Sequence, residues 1–191
     1  MKKRIQYNSP IILTFALLSL GTLLLNTLTG GVTNALFFSV YRSSWANPLT
    51  YIRLFGHVLG HANLQHYVNN MMMLLLLGPI VEERYGSGRM FGMIAITAAV
   101  TGLINMVLFP GTALLGASGV VFLLIVLSSM VGFSQGRIPL TLILVMILYL
   151  GQEVYDGLFT KDNVSHLTHI VGGLCGCAFG FLTGRKETER T

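Results

Sequence analysis

The chain has 191 residues, 53% of them hydrophobic and only 10% charged, with a mean hydropathy of +0.70. A soluble domain carries about 25% charged residues, so the composition excludes an ordinary soluble fold and leaves lipid as the place for the apolar surface. The net charge of +5 does not indicate nucleic acid, because the basic residues fall in small groups between apolar runs and form no patch.

In chain order, six apolar segments are long enough to span a bilayer, which needs roughly 20 apolar residues per helix. They are Pro10–Leu28, Leu64–Val81, Met90–Phe109, Leu114–Phe133, Ile138–Tyr155 and Val164–Thr183. The expected fold is an all-α polytopic membrane protein of six helices. Residues 1–191 then form a single membrane domain with no soluble appendage. Lys2-Lys3-Arg4 before the first run resembles a signal peptide, but Thr29-Gly30-Gly31 is a poor cleavage site. The first segment is therefore expected to remain as a span. The connection Thr29–Asn63 is too long for a turn and mixes Phe37, Phe38, Tyr41, Trp45 and Tyr51 with polar residues. That composition suits a structured element at the membrane interface.

The basic residues set an expected orientation. With the N-terminus inside, the inner segments hold Lys2, Lys3, Arg4, Arg84, Arg89, Arg137, Arg185, Lys186 and Arg190. The outer segments hold Arg42, Arg53 and Lys161. This positive-inside bias predicts both termini on the cytoplasmic side.

Polar residues inside spans are costly and so mark candidate sites. Here they cluster near the outer, N-terminal ends of the second, fourth and sixth spans: His66, Asn69 and Asn70; Ser118; His166 and His169. Counted from the expected span starts at about 1.5 Å per residue, Asn70, Ser118 and His169 lie about 6–9 Å deep. A serine hydroxyl needs a base to become a nucleophile, and neutral imidazole is the usual one near pH 7. Attack on a peptide carbonyl also needs donors for the oxyanion. His66 and Asn70, spaced i, i+4, share one helix face and offer side-chain N–H groups. Glycines in Gly116-Ala117-Ser118-Gly119, and at Gly172, Gly176 and Gly180 after His169, permit close helix approach. Taken singly, each feature has an ordinary explanation as a packing serine, an interfacial histidine or an interhelical amide.

Together these residues resemble the rhomboid proteases over essentially the whole six-span core. Gly116-Ala117-Ser118-Gly119 is similar to that family's Gly-x-Ser-Gly motif, and His169 through Gly172 to Gly176 to its His-x-x-Gly-x-x-x-Gly. His66 to Asn70 matches His-x-x-x-Asn, and Glu82 through Gly88 resembles Glu-x-Arg-x-Gly-Ser. The resemblance implies an intramembrane serine endopeptidase with Ser118 as nucleophile and His169 as base. His66, Asn70 and the Ser118 backbone N–H would form the oxyanion hole. It implies structural support from Arg53, His57, His61, Glu82, Arg84, Gly116, Gly119, Phe122, Gly172 and Gly176. The family's loop Trp is Ile52 here, and the Tyr that packs on the catalytic histidine is Phe122. Substrates would be transmembrane segments entering beside the fifth span, where Gln152 and Glu153 are candidates for the gate or for water handling.

No cofactor, metal or nucleic-acid partner is expected beyond substrate and bilayer, and a bacterial inner membrane is the expected location. Cys175 and Cys177 fit neither a zinc nor a redox spacing and read as small packing residues. Two rivals stand beside this reading. One is a non-catalytic protein of the same fold that binds membrane clients. The other is a metal or haem protein using His57 with His61, or His166 with His169.

Overall fold

A computed structural model of the chain describes residues 6–131, 138, 140–151 and 163–188. Among these residues the protein is helical, with helical structure in each of the six predicted apolar segments and no strand. We number the α-helices α1 (Pro10–Leu28), α2 (Pro48–Gly56), α3 (Leu64–Tyr85), α4 (Ser87–Leu108), α5 (Ser118–Ser129), α6 (Leu140–Val145) and α7 (Asn163–Thr188). A π-helical turn, Met146–Leu150, continues α6. Gln152, Glu153 and the acidic residues Asp156 and Asp162 lie outside the described residues.

Three helices among the described residues are long and apolar enough to cross a membrane: α1, α4 and the His166–Thr183 part of α7. Local chemistry fixes where the elements start. Pro10, whose fixed φ suits a first helical turn, opens α1. The first amides of α1 find their acceptor 70 residues away: Ile11 and Ile12 N–H donate to the two carboxylate oxygens of Glu82 at 3.0 Å each. Ser87 Oγ donates to the same carboxylate at 2.7 Å. Glu82 thus ties the start of α1 to the end of α3 and the start of α4. A negative group at a helix N-terminus also meets the positive end of the helix dipole. Gly86 makes the turn between α3 and α4 at φ +83°, a backbone region that side chains disfavour.

The Thr29–Asn63 connection is structured. It holds a π-helical turn (Asn34–Phe38), α2 and a 3-10 turn (His57–Leu59). Asn47 caps α2 by accepting from Leu49 N–H at 3.0 Å, with Pro48 at the first helical position. Arg53 is buried, donates Nε–H to the Leu36 carbonyl at 2.9 Å and lies 4.5 Å over the Tyr41 ring. It therefore fastens the loop to itself even though Ile52 stands beside it in place of tryptophan.

α5 is the central helix. Every residue from Gly119 to Leu127 is buried, and the main core gathers Ile12, Leu74, Met90, Val120, Leu123 and Leu127 around it. A helix apolar on all sides belongs inside a protein or bilayer. Its 12 residues reach only about 18 Å. α5 begins at Ser118, four residues later than the apolar run suggests. Leu114 is instead extended and forms an isolated antiparallel bridge with Val40, both hydrogen bonds being 2.9 Å. Non-helical backbone at membrane depth is tolerated where protein satisfies it. Here Gly116 N–H also donates to the His57 carbonyl at 2.9 Å.

Candidate active site

Ser118 is the first residue of α5, so its depth comes from the extended Leu114–Ala117 segment and not from a helical rise beginning at Leu114. That segment turns through Gly116 at φ +125°, and only glycine fits there. A Cβ on Gly116 would face strained backbone, and it would lie 2.8 Å from both Cε1 and Nε2 of the His66 ring. The same position is 3.9 Å from Asn70 Nδ2. His66 and Asn70 therefore converge on the backbone two residues before Ser118. Asn63 sets this register by capping α3: its side chain accepts from His66 N–H at 2.9 Å.

α5 and α7 run parallel in close contact. A Cβ on Gly172 would collide with the Gly119 carbonyl group. A Cβ on Gly176 would lie 2.9 Å from Leu123 O and from Val126 Cβ. Further along, Gly180 meets Met130. The four-residue glycine step of α7 thus rides along α5, as small residues allow between membrane helices. His169 is one turn before Gly172, and its ring stacks on Phe122 at a centroid distance of 4.4 Å and an interplanar angle of 6°. The ring is held in plane by an aromatic face that carries no hydroxyl.

The polar groups of this end are unevenly satisfied. Asn70 Nδ2 is buried without a hydrogen-bond partner among the described residues. Leaving such a donor unmade costs about 1–3 kcal/mol, so it calls for an explanation. His61 is buried; its Nδ1–H donates to Leu59 O at 3.1 Å and its ring meets those of His66 and Tyr67 edge-on at 5.1 and 5.5 Å. Burial, with His66 nearby as the lesser cause, lowers the His61 pKa from 6.5 to about 4. His57 is buried too. Its Nδ1–H donates to Leu54 O at 3.1 Å, and Nε2 lies 3.3 Å from Thr101 Oγ1. Burial likewise lowers its pKa from 6.5 to about 4, opposed by hydrogen bonds to the Arg53 and Leu54 carbonyls. His57 and His61 therefore face different partners and do not converge as a ligand pair.

Two supporting residues are absent from the motif reading. Asn105 Nδ2 donates to the carbonyls of Val40 at 3.1 Å and Thr112 at 3.3 Å, clamping the loop to the segment that leads to Ser118. Thr101 contacts His57. With Thr97 they form a buried polar row at i, i+4, i+8 on an otherwise apolar helix, which is the sequence signal that marks them. Arg84 lies in the last turn of α3, beyond Glu82 and away from this end.

Apolar helices long enough to cross a bilayer, with half-buried His66 and Ser118 and a buried Asn70 gathered at one end, define an integral membrane protein. A family model described as the Rhomboid domain matches residues 48–186. The chain belongs to the rhomboid family, a family of serine-type intramembrane proteases. It is 31% identical over 157 residues to Rhomboid-related protein 2 of Mus musculus, covering 71% of this chain and 51% of that one. It is 31% identical over 161 residues to the rhomboid protease GluP of Bacillus subtilis, covering 80% and 30%. To the rhomboid protease GlpG of Salmonella newport it is 28% identical over 141 residues, covering 73% and 51%. The chain spans about half, or less, of the length of these curated relatives.

Proposed function

We propose that this protein is an intramembrane serine endopeptidase that cuts transmembrane segments of other membrane proteins with a Ser118–His169 dyad. The observation that carries the reading is the convergence of His66 and the unpartnered Asn70 Nδ2 on Gly116, two residues before Ser118. Ser118 Oγ attacks the scissile carbonyl carbon while His169 takes its proton. The oxyanion receives hydrogen bonds from His66, Asn70 and the Ser118 backbone N–H. His169 then gives the proton to the leaving amine nitrogen as the C–N bond breaks. Water, deprotonated by the same imidazole, releases the acyl group from Ser118. The dyad needs no third, acidic member.

All six helical segments cross the membrane in this reading, with both termini on the cytoplasmic side and the site toward the outer face. The basis is the excess of basic residues in the inner segments. The membrane is a bacterial inner membrane, and substrates enter beside α6, near Gln152 and Glu153. The test is labelling with a fluorophosphonate alongside cleavage of a transmembrane reporter in reconstituted vesicles. Wild type labels and cleaves; Ser118→Ala and His169→Ala lose both. Equal labelling and cleavage by Ser118→Ala would overturn the dyad. A wild type that neither labels nor cleaves yet retains membrane clients would establish the non-catalytic binder instead.

A further inference from the structure

Between α1, α4 and the turn after α2 lies a concavity of about 520 Å³. Phe15, Val58 and Ala98 form its buried floor, and Leu18, Phe55 and Phe91 its exposed rim. Thr14 supplies the single polar side chain among the described lining residues, and its hydroxyl is engaged by Tyr7 at 2.9 Å. α1 and α4 start level with each other, because Glu82 receives the first amides of one and Ser87 of the other. The walls, Ile11 to Leu18 and Phe91 to Ala98, each run about 10 Å along the helix axes.

We propose that one acyl chain of a bilayer phospholipid occupies this groove, lying along α1 and α4 with its end against the Val58–Leu59 turn. Both walls belong to helices long and apolar enough to cross a membrane. The rim is continuous with the exposed apolar face of α1 at Leu17, Leu24 and Leu25, so the groove opens onto lipid. Water does not suit it, since a buried water needs about 2–4 polar partners. The walls run only about two helical turns, a short seat for a helix that must cross a hydrocarbon core of ~30 Å. A single chain does fit, and a leaflet's hydrocarbon is about 15 Å deep, half of the ~30 Å core. No hydrophobic gain separates bound from bulk lipid, so the hold is van der Waals contact with a matching shape.

The seat has a consequence for the site. Val58 and Leu59 follow His57, whose carbonyl accepts from Gly116 N–H at 2.9 Å. The chain end therefore braces the back of the turn that holds the approach to Ser118. This consequence rests on the protease reading; the lipid seat itself does not.

Native mass spectrometry tests the seat after reconstitution in vesicles of phosphatidylethanolamine and phosphatidylglycerol and re-extraction in mild detergent. One phospholipid per chain is expected on wild type and equally on Ser118→Ala. Ala95→Leu fills the groove from its half-buried α4 wall and Thr14→Phe from its exposed edge on α1. Each should cut the retained fraction by about fivefold, a change of ~1 kcal/mol. Leu25→Phe, on the exposed face of α1 outside the groove, should retain lipid as wild type does. A melting curve checks that each variant folds, and Thr14→Phe carries the test should Ala95→Leu not fold. Wild type without bound lipid, or filled variants that retain it equally, would overturn the proposal.

Discussion

The two ends of the helix bundle handle buried polarity in opposite ways. Around Glu82 the polar groups are matched: two α1 amides and the Ser87 hydroxyl take up the carboxylate of a residue only 3% exposed. Around Ser118 the main chain is matched as closely, by Val40, His57 and Asn105. There, however, side-chain atoms are left over: Asn70 Nδ2 and His61 Nε2 are buried without partners among the described residues. A closed set of hydrogen bonds stabilises the fold. An open set leaves a donor, Asn70 Nδ2, and an acceptor, His61 Nε2, unmatched, and the fold carries that cost. On the proposed function, the same chain thus holds a stabilising end and a reactive end.

Four changes would break or sharpen that contrast. Glu82→Ala should have the largest effect on stability, about 3–5 kcal/mol, because it strands one buried and one part-buried amide that had a carboxylate acceptor. The loss would show as a lower melting temperature in detergent, with residual cleavage below that temperature. Asn70→Ala should do the reverse. Removing one oxyanion donor costs about 10²–10³ in turnover, or about 2.7–4 kcal/mol. Its melting temperature should hold or rise, since an unmet donor is gone. A fall in stability as large as that of Glu82→Ala would erase the distinction between the ends.

Acid comes next. His57 and His61 are held near pKa 4 in the fold against 6.5 when unfolded. Between those values the unfolded chain binds protons that the folded chain refuses. Stability is therefore full above pH 6.5 and falls as pH drops toward 4. Each buried histidine contributes at most about 1.4 kcal/mol per pH unit to that slope. Melting curves across this window measure it, and His57→Gln should flatten it. The smallest effect is expected from Phe122→Tyr. Its ring already stacks on His169, so stability should change by less than about 1 kcal/mol. The pH–rate profile reads whether an added hydroxyl alters the base.

Much of the helical layout was legible because lipid imposes long apolar runs. α1, α3 and α4 begin within three residues of the expected positions. α5 was misread for a physical reason: Leu114 is as apolar as any helical residue, and nothing local in the sequence reveals that Val40 pairs with it. The depth estimate for Ser118 inherited that error. The convergence of His66 with Gly116 was also beyond reach of spacing alone, since it depends on a positive φ at Gly116. Asn105 and Thr101 went unnoticed because no motif names them. Their spacing on an apolar helix was nevertheless visible. Glu82 was read as structural from a motif, but its partners, the amides of Ile11 and Ile12, carry no side-chain signature at all.

The Val40–Leu114 pair also has a meaning in time. Chains are made from the N-terminus, so α1 through α4 exist before Leu114 arrives. Until then the N–H of Val40 lacks its later partner, the Leu114 carbonyl, and must be met by water or lipid headgroups, while Asn105 of α4 can already hold the Val40 carbonyl. His66 and Asn70 wait likewise for Gly116, and Ser118 for His169. The reactive end is thus completed late, by the last helices to emerge. A nascent chain that stalls after α4 would hold His66 and Asn70 without the Gly116–Ser118 segment they meet.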